Sequence, residues 1–236
     1  MLADSLTGSD VSFKRIILWG HAASGQICTL LGMALGTYPR LTKVFVAPTV
    51  CTLITINAVK TFSEAVAIGK VTTAEALDIF DSLDTVAVSD MIGPWQGSSF
   101  PTDHPLDGAL EAYHWHGKRF DTPEHVHPLI FKTMDGNTAS VNPLWTLPLV
   151  SWIDRLPIPK SEAMGNIFQA SLFLFSTNQS CARLRPVIYR GKETATMIYD
   201  SLPINDIFRK VDDRTVLGLM DLKGMECPFF FVLQRE

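Results

Sequence analysis

"RLRPVIYRGKETATMIYDSLPINDIFRKVDDRTVLGLMDLKGMECPFFFVLQ", residues 183–234, decides the fold. Five strand-like runs stand in it: RLRPVIY (183–189), ETATMIY (193–199), LPINDIFRKV (202–211), TVLGLM (215–220) and PFFFVLQ (228–234). Between them fall Arg190-Gly191-Lys192, Asp200-Ser201, Asp212-Asp213 and Lys223-Gly224. Short runs of β-branched and aromatic residues, broken by turn residues about every ten positions, predict an antiparallel meander.

Upstream, HVHPLIFKTM (125–134) and NTASV (137–141) are joined by Asp135-Gly136, which suits a tight hairpin turn. MIGPWQGSSFP (91–101) begins a further extended run. The total is about eight strands, enough to close a small barrel. Two segments have helical periodicity. TTAEALDIFDSL (72–83) opens on a Thr72/Glu75 capping box and sets Ala76, Ile79, Phe80 and Leu83 on one face. Residues 161–176 place Met164, Ile167, Phe168, Leu172 and Phe175 at helical spacing. Residues 105–117 read equally as helix or loop, and 141–160 form an apolar connection broken by Pro143, Pro148, Pro157 and Pro159, with Trp145 and Trp152. The expected class is mainly β with a few helices (α+β): a small antiparallel β-barrel with a helical lid and an N-terminal extension.

Of the 236 residues, 47% are apolar and 19% charged, with net charge −4, so a sizeable core can form. No basic run exists to serve a phosphate backbone, which argues against nucleic acid as a partner. The four cysteines (Cys28, Cys51, Cys181, Cys227) form no C-x-x-C pair and fit reduced thiols in a cytoplasmic protein. Residues 16–38 carry no Asp, Glu, Lys or Arg, and neither do 44–59. Length alone permits one membrane span there, but Gly20, Gly25, Gly32, Gly36, His21 and Gln26 dilute the first run, and Pro48 and Asn57 break the second. Cytoplasmic localisation is therefore expected, with membrane association through residues 16–59 as the alternative. Residues 1–60 are set apart as an extension and 61–236 as the main domain, with parts at 72–142 and 183–236.

GPWQG (93–97), PTDHPLDG (101–108), GKRF (117–120) and HVHPLIF (125–131) resemble, in order, the GXWXG family. The tail MIYDSLPINDIFRKVDDRTVLGLMD (197–221) resembles that family's usual companion, a C-terminal domain of unknown function. The resemblance covers roughly residues 72–236. The family name carries no reaction. By analogy its G-x-W start is similar to that of lipocalin-like and nitrobindin-like barrels. That analogy implies a calycin-like barrel whose Trp plugs one end, with Gly93, Trp95 and Gly97 structural.

Four of the six histidines, His114, His116, His125 and His127, crowd into residues 111–131, and His104 lies just upstream. On a strand, His125 and His127 share a face and could hold a metal, with His104 or an acid such as Glu111 or Asp121 to complete the site. The spacing matches no standard zinc pattern, so neither metal nor cofactor is expected. In a helix, His114 and His116 would point ~200° apart and could not chelate together. Haem held by one histidine, or by the thiolate of Cys227, is a further reading. Acid–base chemistry is the expected use of the cluster. In that scheme His125 or His127 relays a proton, Lys118 or Arg119 steadies an enolate or carboxylate, and Asp103 or Asp107 orients a histidine. His104, Trp95, Tyr113, Trp115, Phe120, Tyr199 and Asp206 complete the expected ligand contacts. G-x-S-x-G, G-x-G-x-x-G and Walker motifs are all missing.

The expected function is a cofactor-free isomerase, cyclase or lyase acting on a small hydrophobic metabolite, as in specialised metabolism. The alternatives are a non-catalytic carrier of such a metabolite, a haem-binding barrel, and a membrane-associated structural role. Enzyme and carrier separate on one feature: whether a histidine and a carboxylate converge on the cavity. All five clustered histidines lying outside it would remove the enzyme reading.

Overall fold

A computed structural model describes residues 60–146 and 159–236. The uncharged runs of the expected N-terminal extension lie outside the described residues, as does the stretch holding Pro148, Trp152 and Pro157. The strands are β1 (Asp84–Thr85), β2 (Gly93–Ser99), β3 (Trp115–Thr122), β4 (His125–Lys132), β5 (Thr138–Ser140), β6 (Ala182–Tyr189), β7 (Lys192–Tyr199), β8 (Ile204–Lys210), β9 (Thr215–Leu222) and β10 (Phe229–Arg235). Among the described residues the helices are α1 (Phe62–Ile68), α2 (Thr73–Ser82), α3 (Ala109–Ala112) and α4 (Glu162–Phe175).

The five C-terminal runs are strands β6 to β10, each paired antiparallel with the next. Closure is non-local. β10 pairs with β2, then β2 with β3, β3 with β4, and β4 returns to β6 through Val126 and Ala182. Eight strands thus complete a ring of hydrogen bonds, and the two short ones stand off it, β1 on β8 and β5 on β4. The architecture is a mainly antiparallel sheet of ten strands with few helices.

Period-2 alternation divides the apolar residues between two cores. Along β10, Phe229, Phe231 and Leu233 enter a core fed by every ring strand, which fills the interior. Phe230 and Val232 face the other way, into a second core between β8–β10 and helices α1 and α2. Helix α2 starts where its capping box predicts, with the Thr72 hydroxyl accepting from the Glu75 N–H and the Glu75 carboxylate from the Thr72 N–H. Ala76, Ile79 and Phe80 are wholly buried. Burying a side chain such as Ile79 or Phe80 contributes roughly 1.5–3 kcal/mol.

Helix α4 corrects an expectation. Leu172 is buried and Phe168 and Phe175 pack on the interior core, but Met164 is 37% and Ile167 62% exposed. Gly165 is the cause. A Cβ there would lie 1.9 Å from the Ala112 carbonyl oxygen, so α4 crosses α3 on its glycine. The inward face is therefore 165, 168, 172 and 175, and Met164 and Ile167 fall off it. No helix among the described residues is long and apolar enough to cross a membrane.

Candidate functional site

A cavity of about 370 Å³ opens within the ring interior. Phe131 of β4, Leu222 of β9, Phe229 and Phe231 of β10, and Phe168 and Phe175 of α4 form its apolar walls. Its polar groups among the described residues are few: Lys118, Asp206, Tyr199, Tyr113 and the indoles of Trp115 and Trp145.

Local sequence explains why these side chains meet. On β8, Ile204, Asp206 and Phe208 alternate with Ile207 and Arg209, which face the outer core. On β7, Ala195, Met197 and Tyr199 share the interior face. Strand β3 breaks the rule. Trp115 pairs with Phe131, but Gly117 pairs with Ile130 and Arg119 with His127, so the register slips around Gly117. This bulge lets Trp115, Lys118 and Phe120 all point inward, while Arg119 is half exposed and pairs with Asp121 at 3.0 Å. The chain at Gly117 and Gly97 is tightly apposed. A Cβ at Gly117 would meet the Trp95 carbonyl oxygen at 1.9 Å, and one at Gly97 the Trp115 ring at 1.9 Å.

Lys118 Nζ lies 2.8 Å from Asp206 Oδ2, with the two side chains 4% and 1% exposed. It also donates to the Pro128 carbonyl at 3.1 Å. The rings of Phe231, Trp115 and Tyr199 surround it at 5.0, 5.5 and 5.8 Å. The carboxylate is less well served: Asp206 Oδ1 is buried with no hydrogen-bond partner among the described residues. Burial pushes the Asp206 carboxyl up, against the opposing pull of Lys118. Burial, with Asp206 beside it, pushes the Tyr199 phenol well above its ordinary value, so it stays neutral. The Trp115 Nε1–H is likewise buried and unpartnered. Tyr113 donates to the Pro159 carbonyl at 3.0 Å.

Of the expected site residues, Lys118, Tyr113, Trp115, Tyr199 and Asp206 line the cavity. The others do not. His125 is exposed at the start of β4. His127 is buried, but on the outer side: Val126 takes the interior position between them, so both imidazoles face away from the cavity. His127 Nδ1 lies 3.2 Å from Ser140 Oγ, and its Nε2 lies 3.3 Å from Asp121 Oδ2. Burial, then the Arg119 charge, depresses its pKa, although Asp121 pulls the other way, so it is neutral at neutral pH.

Asp103 is exposed and pairs with Lys70 at 2.5 Å. Asp107 accepts the Thr102 and His104 N–H groups and so shapes its own loop. His104 is buried beside that loop, its Nδ1 accepting the Leu106 N–H at 3.1 Å and its Nε2 facing Met225 Sδ at 3.0 Å. His116 Nε2 meets Glu236 at 2.6 Å, and His114 ends the α3 turn with φ 57°. Phe120 packs edge-on to Phe208 in the core. Trp95 is a structural residue: it is 2% exposed, donates to the Met91 carbonyl at 2.7 Å and carries the Arg235 guanidinium 4.4 Å from its ring.

Among the described residues, no histidine and no cysteine lines the cavity. Cys227 is exposed and Cys181 only partly buried, its thiol pushed up by burial. The described residues therefore offer no imidazole or thiolate ligand to a haem in the cavity. Among them, no group of three or more His, Cys, Asp or Glu stands together as a metal site. Sequence reasoning missed the aromatic walls, Phe131, Phe168, Phe229 and Phe231. The inward parity of β10 is the signal that could have found two of them.

The family described as GXWXG protein matches residues 78–136, across β2 to β4, and a Domain of unknown function (DUF4334) matches 180–235, across β6 to β10. A crystal structure of a protein from Thermomonospora curvata is similar at 32% identity, with TM-score 0.53, covering 74% of this chain and 95% of that one. The chain belongs to the GXWXG family. The two matched segments supply the cavity jointly: Lys118 comes from the GXWXG part, and Asp206 and Tyr199 from its companion. No curated protein matches the chain.

Proposed function

We propose that this GXWXG protein takes a small, largely apolar metabolite into the ring and holds the metabolite's polar group against Lys118 and Asp206. In this reading the ring is a small calycin-like barrel, lidded at one side by α3 and α4. The observation that carries it is a cavity of about 370 Å³, walled by aromatic rings, with one desolvated ion pair in its wall. Ligand sites of this size are mostly apolar, with a few placed polar groups. The buried Oδ1 of Asp206 and Nε1–H of Trp115 want an acceptor-and-donor ligand rather than a hydrocarbon.

Catalysis by His125 or His127 loses its support, because both imidazoles lie outside the cavity. By the criterion set from sequence, the carrier comes ahead of the histidine enzyme. A cofactor-free isomerase, cyclase or lyase stands as the second reading on one observation, a buried carboxylate with one unpartnered oxygen on a residue that lines the cavity.

The test is binding of 1-anilinonaphthalene-8-sulfonate by the full chain. Saturable, stoichiometric fluorescence enhancement is expected, and Met220→Trp, which fills the cavity, should abolish it. Stoichiometric binding that survives in a folded Met220→Trp protein would place the ligand elsewhere and refute the reading.

A further inference from the structure

We infer that Asp206 is the proton-transfer group of this site, and that the ligand is an apolar carbonyl compound with an acidic C–H, its oxygen held by Lys118. This rests on the binding reading above and goes beyond it by assigning an activity and a substrate class.

The argument runs by elimination among the lining groups, then by charge. Among the described residues, no Ser, Thr, Cys or His lines the cavity, so they supply no aliphatic hydroxyl, thiol or imidazole for acyl transfer. Lys118 Nζ is engaged by Asp206, the Pro128 carbonyl and three ring faces, a setting that suits a hydrogen-bond donor rather than a nucleophile. Two of its three N–H bonds are used, and the third is free for a ligand oxygen. Tyr199 is a neutral phenol. Among the described lining residues, Asp206, with its Oδ1 buried and unpartnered, is the one carboxylate.

The step balances without water, oxidant or cofactor. Asp206 Oδ1 takes the proton from the carbon next to the carbonyl. The C–H pair becomes the C=C bond of the enolate, and the carbonyl π pair moves onto oxygen, beside the Lys118 N–H. Return of the proton to the same or a conjugated carbon completes an exchange or an isomerisation. The negative charge passes from Asp206 to the enolate, and both positions adjoin the same ammonium. No net charge is created in an apolar space, so the pair that binds the ketone also matches its enolate. Burial raises the Asp206 carboxyl toward the range in which a general base works best.

The experiment uses the full chain in D₂O with 2-tetralone, a small bicyclic ketone, as probe. Proton NMR follows loss of the α C–H signals, and quenching of tryptophan fluorescence, with Trp115 in the wall, follows binding. Exchange should exceed the buffer rate at the same pD and fall by ~10²-fold or more in Asp206→Asn, both compared at saturating probe. Because Asp206→Asn strands an ammonium, Lys118→Met/Asp206→Asn is measured beside it. That pair is neutral and should fold and fail to exchange, binding the probe more weakly through the aromatic walls that remain. Binding by the wild-type chain without exchange above buffer overturns the acid–base inference and leaves the binding reading standing, and so does exchange undiminished in the double variant. Failure to bind 2-tetralone, with stoichiometric 1-anilinonaphthalene-8-sulfonate binding intact, overturns the substrate class. Failure to bind either probe overturns the binding reading itself.

Discussion

Replacing Lys118 by Met should be among the most damaging single changes in the interior, while replacing both partners of its ion pair should not be. The side chains of Lys118 and Asp206 are 4% and 1% exposed and meet at 2.8 Å. In Lys118→Met, Asp206 Oδ2 loses its partner and Oδ1 already has none. Removing one member of such a buried pair costs ~3–5 kcal/mol. Asp206→Asn should sit at the lower end, because Lys118 keeps the Pro128 carbonyl and three ring faces, each worth ~0.5–2 kcal/mol. Lys118→Met/Asp206→Leu removes the desolvation cost with the attraction. It should lie within ~1 kcal/mol of wild type, or be more stable by up to ~4 kcal/mol. The sign of the pH dependence follows from the raised Asp206 carboxyl. Its folded pKa stands above its unfolded one, so its contribution is fully present below the unfolded value and is lost as pH rises through the folded value. Without Lys118 the shift grows. Lys118→Met should therefore lose stability with rising pH by up to ~1.4 kcal/mol per unit across that window, more steeply than wild type. Urea unfolding of these four proteins and of Asp206→Leu at about pH 5 and about pH 8 measures all of this, the double-mutant cycle through Asp206→Leu giving the coupling. A Lys118→Met cost under ~1 kcal/mol with no added pH slope would mean the pair is hydrated, and the desolvated site would be refuted.

His125→Ala should leave both stability and probe binding unchanged within ~0.5 kcal/mol, since the residue is exposed outside the cavity. His127→Ala should cost ~1–2 kcal/mol for its contacts to Ser140 and Asp121, yet bind normally; a folded His127→Ala that fails to bind would return the histidine to the site. Thr72→Ala should lose ~1 kcal/mol in thermal or urea unfolding by opening the α2 capping box, and no loss would mean that end of α2 is frayed.

The C-terminal meander was legible because its signal is local: alternation names the faces and the turn residues name the breaks. Phe229, Phe230 and Phe231 show the limit. Their alternation is visible, but which side is the interior depends on β2, more than a hundred residues away. The G-x-W-x-G glycines read correctly as structural, since tight spacing around a Trp is a local signature. Helix α4 misread by one step, because Gly165 sets the contact with α3 and hydropathy cannot weigh a glycine. Helix α1 went unread although Thr61 and Glu64 form the same capping box as Thr72 and Glu75. The histidine cluster drew attention through composition, yet the one-residue phase of β4 turned its imidazoles outward. Asp206 was visible as an acid between Ile204 and Phe208, but its partner was not, because the sequence alone could not choose between Lys118 and Arg119.

That choice is made at Gly117. Strict alternation from Trp115 would send Gly117 and Arg119 inward and put Lys118 outside. The slipped register adds one residue on the outer side, and Lys118 joins Trp115 in the wall. The bulge needs a glycine twice over: φ is 150°, and the position of a Cβ is filled by the Trp95 carbonyl oxygen at 1.9 Å and the Gly97 nitrogen at 2.9 Å. Those are backbone atoms and cannot rotate away. Gly117→Ala must push β2 and β3 apart or flatten the bulge, and a flattened bulge offers Arg119 to the cavity instead. Strain of this kind costs ~1–3 kcal/mol, and loss of the Lys118–Asp206 contact adds to it. The expected result is a lowered Tm together with lost probe binding. Gly97→Ala is the comparison: it collides with the Trp115 ring, a side chain, so it should cost ~1–3 kcal/mol and perturb tryptophan fluorescence while leaving the ion pair's pH slope in place. A Gly117→Ala protein with wild-type stability and binding would show that the register on β3 does not need the glycine, and the account of how Lys118 reaches Asp206 would fail.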